Sequence, residues 1–309
     1  MPDALTWLFP VVRGLISLTI LLLLGLPVAT TLVRLHGPRP GMPAREVMDG
    51  WFERLPGLLA WFLLVCSLLR GALQLLSFSE PGEPIGAELA RAVLLEGSWG
   101  AAWVAQSLAA FLLLAISWLW RREPRRLLMV MVLLMLVIVG AQGGLGHGAD
   151  ELWPGLLGRV VHAVHLLGSG LWLGTLGILT LVVLPSLRGD EGLPALARVI
   201  RAFSTPARFG VVMVAISGLT ATWRYTGGEV LSLPDLLWGQ LLLLKVGLVL
   251  GAMALGAWNW RVGTPALLRG DPGAATALRR TIAVELLLAA VVLGLTAWLV
   301  ASPLPSHGG

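Results

Sequence analysis

Cysteine is almost missing from this sequence: Cys66 is the one thiol in 309 residues. A lone thiol excludes an internal disulfide and every paired-cysteine metal or redox motif. Its place in the middle of an apolar run makes it a small buried hydrophobe. Charge is scarce as well. Charged residues make up 13% of the chain, where a soluble globular domain carries about 25%. No stretch is polar enough to read as a soluble domain, and no phosphate-cradling glycine motif is present, which argues against an ATP-driven pump. The net charge of +5 does not mark a nucleic-acid binder, because the cations stand in short segments between apolar runs. The first residues lack the basic leader of a signal peptide. Arg34, Arg39 and Arg45 follow the first apolar run instead, so that run is expected to be a retained helix.

What the chain has in abundance is hydrophobic sequence, 57% of its residues. Eight stretches reach the ~20 residues that cross ~30 Å of hydrocarbon. They cover about 8–33, 55–77, 99–120, 127–146, 157–184, 206–225, 238–260 and 281–301. The expectation is an all-α bundle of eight transmembrane helices, a single domain over 1–309. Breakers such as Gly37-Pro38, Pro81-Gly82, Trp153-Pro154 and Gly227-Gly228 mark the connections. The odd loops hold the arginines: Arg34, Arg39, Arg45 and Arg54; Arg121, Arg122, Arg125 and Arg126; Arg188, Arg198 and Arg201; Arg261, Arg269, Arg279 and Arg280. The even loops hold acids, among them Glu80, Glu83, Glu88, Glu96, Asp150 and Glu151. By the positive-inside rule the odd loops are cytoplasmic and both termini lie outside. Tryptophans near both edges fit the same placement.

The fifth stretch stands out. At 100° per residue, His162, His165, Ser169 and Trp172 fall within an arc of about 80°, while Gly170, Gly174 and Gly177 gather on another side. One face offers imidazoles and an indole; the other lets a neighbouring backbone come close. Ionisable residues inside a span are read by default as a site facing the bundle interior. At 1.5 Å per residue the two histidines lie roughly 8–12 Å below the outer boundary. His147 ends the fourth stretch on the same side. His147, His162 and His165 therefore form a candidate metal site, imidazole being suited to copper, zinc and haem iron. Arg70 and Lys245 lie deep in the same half, and Arg13, Arg159 and Arg224 are expected to snorkel to the surface. Cations repel a bare metal ion; a cationic rim suits an anionic cofactor or a lipid head group. In the inner half, Met135, Met213 and Met253, with Cys66 slightly higher, make a secondary soft-ligand candidate for Cu(I), against ordinary packing as the simpler reading. Glu285 is expected to pair with Arg208 or Arg261, or to carry protons.

The pattern His165-x6-Trp172-Leu-Gly174, with Gly146-His147 before it, resembles the signature of the copper resistance protein D (CopD) family. So do Gly239-Gln-Leu-Leu-Leu-Leu-Lys245 through Gly256-Ala-Trp-Asn259, Arg201-Ala-Phe-Ser204, and the ending Leu278-Arg-Arg to Glu285 and Ser302-Pro303. The match is densest over about 140–303 and looser before it, where Trp99-Gly100-x-x-Trp103 and Arg70-x3-Gln74 are similar. The resemblance implies a multi-pass protein of the bacterial inner (plasma) membrane, linked to copper transport or resistance and working with a periplasmic copper-binding partner of the CopC type. Members often carry a small or acidic residue where this chain has His162. Some relatives are thought to bind haem, so the alternative is a b-type haem redox protein using the same histidines, with Arg70 and Lys245 near the propionates. His162 and His165 share a face and cannot both bind one haem axially. A third reading is a structural membrane subunit without transport.

Overall fold

In lipid, a backbone group without a partner costs several kcal/mol, so apolar runs of this length satisfy themselves as helices. The computed structural model describes residues 2–79, 86–120, 124–145, 156–187, 192–228, 230–235 and 237–301. These residues form helices α1 (Pro2–His36), α2 (Pro43–Phe78), α3 (Ala87–Leu94), α4 (Gly97–Trp120) and α5 (Pro124–Gly144). Then follow α6 (Leu156–Ser186), α7 (Leu193–Tyr225), α8 (Leu237–Arg269) and α9 (Ala274–Ala301), with a 3-10 turn over Val230–Asp235. Among the described residues there is no strand, and seven helices are long and apolar enough to cross a membrane. The fourth expected span, α5, contributes a shorter apolar helix, Met129–Gly144.

Several boundaries differ from the hydropathy reading, and three differences have a visible cause or partner. Helix α2 starts at Pro43 because Arg45 anchors its first turn. Its Nε donates to both carboxylate oxygens of Asp49 at 2.9 Å, and Nη1 donates to the Val33 and Pro38 carbonyls. An arginine counted as a loop cation is thus a buried staple of the α1–α2 turn. Helix α7 starts at Leu193, since Ala195, Leu196, Ala197, Val199 and Ile200 are buried against the bundle although charges interrupt the run. The short α3 lies in a connection expected to be loop, with Arg91 paired to Glu96 at 3.1 Å.

Two apolar cores fill the bundle. One joins α1, α2, α4 and α5 around Ile16, Leu63, Leu113 and Ile138; the other joins α1, α2 and α6–α9 around Leu176, Ile178, Leu179 and Leu187. Helix α1 belongs to both and packs on α2, α6, α7 and α9. Its crossing with α6 is backbone on backbone. A Cβ on Gly174 would fall on the Leu21 carbonyl, and one on Gly25 would fall on the peptide of Gly174 and Thr175. Gly170 and Gly177 face Leu24 and Leu22 of the same helix, so the small-residue face expected from spacing is the α1 contact. On the other flank of α6, Gly168 and Gly210 bring α7 equally close. At this crossing α6 widens into π-turns at Gly170–Gly174 and Leu179–Val183, and α8 does so at Asn259–Gly263. Helix α8 packs on α9 along its length and reaches α7 chiefly through its last turns, Thr264–Arg269.

Carbonyls exposed at helix ends are taken up by arginines, which also complement the negative end of the helix dipole. Arg279 donates to the Leu184 and Leu187 carbonyls at 2.7 and 3.0 Å, closing α6. Between α2, α4 and α5 a polar column is satisfied internally. Ser67 and Ser107 share a hydrogen bond of 2.7 Å, Trp103 donates to the Ser67 carbonyl at 2.7 Å, and Gln142 donates to Gln106 at 2.8 Å.

If α1 and α6 touch through Gly174, adding a single methyl group there must force them apart. Gly174→Ala is expected to cost about 1–3 kcal/mol and to lower the thermal unfolding midpoint of the detergent-purified protein. Gly294→Ala, where a Cβ meets nothing within 4 Å, is expected to leave that midpoint in place. Equal midpoints for the two variants would contradict the crossing.

Candidate functional site

Polar side chains collect at two levels of α6, one in its first turns and one near its middle. The first level lies where α5 ends and α6 begins. Arg13 of α1 and Arg70 of α2 both donate to the Leu145 carbonyl, Arg13 at 2.9 Å. Arg13 therefore turns inward rather than snorkelling. Arg70 is 5% exposed, and its Nη1 has no hydrogen-bond partner among the described residues. A buried guanidinium nitrogen in that state favours any anion or carbonyl that can reach it.

One turn apart on α6, His162 and His165 face this cationic group, and their electrostatic neighbours are Arg13 and Lys245. The two rings are held differently. His165 Nδ1 lies 3.0 Å from Ser217 Oγ of α7. The Ser217 hydroxyl donates to the Met213 carbonyl at 2.6 Å, which leaves its oxygen to accept from the imidazole. With the proton on Nδ1, a neutral His165 presents Nε2 as an acceptor. Its Cε1 sits over Gly218, 3.8 Å from where a Cβ would stand. His162 is exposed and Lys245 is half-buried, and neither has a hydrogen-bond partner among the described residues. His147 lies outside the described residues. Among the described residues no three His, Cys, Asp or Glu side chains gather into a metal-holding group.

The second level lies two turns further along α6. Trp172, 4% exposed and inside the first π-turn, donates its Nε1–H to Glu285 Oε1 of α9 at 2.9 Å. Asn259, at the start of the π-turn in α8, stands beside the same carboxyl, and its Oδ1 accepts from Thr281. Glu285 is 3% exposed and makes no ion pair among the described residues, unlike the arginine pairing expected from depth. Arg208 instead donates to the Ser204 carbonyl at 3.1 Å and lies 5.1 Å over the Trp260 ring, and Arg261 lies 5.6 Å over the same ring. Trp172, Asn259 and Glu285 line a cleft of about 380 Å³ together with Arg208, Met253 and Trp260.

The soft residues do not form one layer. Cys66 and Met135 are buried in the core of α1, α2, α4 and α5, Met213 packs against Gly168, and Met253 lines the cleft. Sequence spacing singled out His162, His165 and Trp172, but not Ser217 or the convergence of Trp172 and Asn259 on Glu285. Ser217 is one hydroxyl in an apolar helix. The Glu285 contacts depend on two π-turns that a uniform 100° periodicity cannot show.

Comparison with known proteins covers most of the chain. The family model described as copper resistance protein D-like, N-terminal domain, matches residues 1–159, and that described as copper resistance protein D matches residues 197–299. Copper resistance protein D of Pseudomonas syringae pv. tomato is 30% identical over 58% of this chain and 60% of its own length. Inner membrane protein YebZ of Escherichia coli (strain K12) is 28% identical over 65% of this chain and 67% of its own length. No solved structure matches. With one family model over half of its length and the second over most of its last three helices, the chain belongs to the copper resistance protein D family of membrane proteins.

Proposed function

We propose that this protein handles copper in the bacterial inner membrane, receiving the ion at the outer level of α6. One observation carries the reading. Two imidazoles face the same way one turn apart; His165 is oriented by Ser217, and His162 has no hydrogen-bond partner among the described residues. A fixed ring presenting Nε2 beside a free one is an arrangement able to take a soft or borderline metal. His147, at the end of the preceding span, is the third ligand in this proposal. The relatives support copper as the cargo: one is named copper resistance protein D. A periplasmic protein of the CopC type is the proposed donor, consistent with the lack of methionine-rich outer loops.

Eight spans complete this reading. Pro124–Gly144 has 21 residues, enough for about 30 Å of helix. With α5 included, the loops rich in arginine fall on one side, which the positive-inside rule places in the cytoplasm. Both termini then lie outside.

A second reading rests on Arg70 Nη1, buried without a partner beside Arg13. Such a pair suits an anionic cofactor, and a b-type haem would bring carboxylates to it. The donor set fits only part of that group: His162 and His165 lie on one helix face and would offer a single imidazole to the iron between them. If bound, haem would supply one-electron chemistry; Arg13, Arg70 and Lys245 would hold its carboxylates.

Topology is tested by single-cysteine labelling in a Cys66→Ala background. Residues 121–126 and 269–280 are expected to react only from the cytoplasmic side, and residues 150–155 and 227–235 only from outside. A loop labelled from the wrong side removes the depth assigned to the histidines.

For copper, the expected outcome is stepwise. Ser217→Ala, which frees His165 to rotate, is expected to weaken copper affinity about 10–100-fold. The double change His162→Ala and His165→Ala is expected to abolish binding while the protein remains folded. Undiminished copper in the double variant, or a haem Soret band that these changes remove, would replace the copper reading.

A further inference from the structure

Two widened helical turns from different helices end on one carboxyl. π-turns are rare, interrupt the regular helical ladder, and are frequent at functional sites. Here the turn at Gly170–Gly174 supplies Trp172, which donates to Glu285 of α9, and the turn at Asn259–Gly263 supplies Asn259, which stands beside the same carboxyl. The Oδ1 of Asn259 is taken up by Thr281. The polar side chains at Glu285 are thus neutral, with no cation bonded to it among the described residues.

We infer that Glu285 is a proton-exchanging carboxyl of the membrane interior, reached through the cleft between α7 and α8 from the end that carries Arg208 and Trp260. A carboxyl inside a span is costly unless it serves an ion or proton path. This one is not walled off. The cleft has a volume of about 380 Å³ and runs from buried Trp172, Asn259 and Glu285 to exposed Arg208 and Trp260, which is room for several waters at about 30 Å³ each. Gly256 keeps the wall beside the carboxyl thin, since a Cβ there would lie 3.3 Å from Oε1, and its nearest neighbours all belong to Glu285.

The charged surroundings are few. From α7, Arg208 is the one other charged residue lining the cleft, and it is committed to the Ser204 carbonyl and the Trp260 ring. From α8, Arg261 lies over the same ring. The groups offered by α6 and by α9 itself, Trp172 and Thr281, are neutral. Among the described residues no cation bonds Glu285 and locks it in its ionised form, so its proton can exchange with water in the cleft.

Dicyclohexylcarbodiimide tests this on the full chain in membranes. The reagent enters from lipid and needs a protonated acid: it takes up the carboxyl proton, the carboxyl oxygen bonds to its central carbon, and rearrangement leaves an acylurea containing the whole reagent. Mass spectrometry is expected to find that adduct on Glu285, absent in Glu285→Gln. Its yield is expected to fall as the buffer passes from mildly acidic to mildly alkaline. Gly256→Leu, which fills the cleft, is expected to cut the yield several-fold. An unmodified Glu285 in the folded protein, with modification after denaturation in detergent, overturns the inference. So does an adduct yield in the wild-type protein that ignores pH. Neither result depends on copper binding at the histidines.

Discussion

Two glycines that meet backbone to backbone, Gly25 on α1 and Gly174 on α6, set the arrangement on which both polar levels depend. Dispersion and close packing drive helix association in lipid, and they act at full strength only where side chains do not intervene. With Gly168 and Gly210 admitting α7 on the other flank, α6 is enclosed by two neighbours at very short range. It is also the helix that carries His162, His165 and Trp172. The crossing occurs within the π-turn that holds Trp172, so one feature both packs the bundle and aims the indole at Glu285.

The two levels differ in chemistry although they share a helix. Trp172 follows His165 by seven positions, or about 10 Å of rise. The first level is cationic and under-satisfied: Arg70 Nη1, Lys245 and His162 have no hydrogen-bond partners among the described residues. The second level is neutral in its donors and built around an acid.

Much of the fold was legible from composition and spacing. The helical class, the α1-facing glycines Gly170, Gly174 and Gly177, and the shared face of His162 and His165 follow from hydropathy and a 100° rotation. What could not be read was set by contacts distant in sequence. Arg45 counted as a loop cation because nothing local shows that it bonds the Val33 and Pro38 carbonyls. Arg13 looked free to snorkel until α5 placed the Leu145 carbonyl beside it. Glu285 looked destined for an arginine because depth alone was known; the π-turns bring Trp172 and Asn259 to it instead, and Arg208 turns to Trp260. The methionines shared a depth but not a location, since the two cores separate Met135 from Met253.

The central claim is that the outer imidazoles of α6 are copper ligands. X-ray absorption at the copper edge of the metal-loaded protein tests it most directly, because imidazole rings give a characteristic multiple-scattering pattern and thioethers do not. The account predicts nitrogen ligation with that imidazole pattern, lost when His162 and His165 are both replaced by alanine. A shell of sulfur alone, unchanged in the same variant, would contradict it.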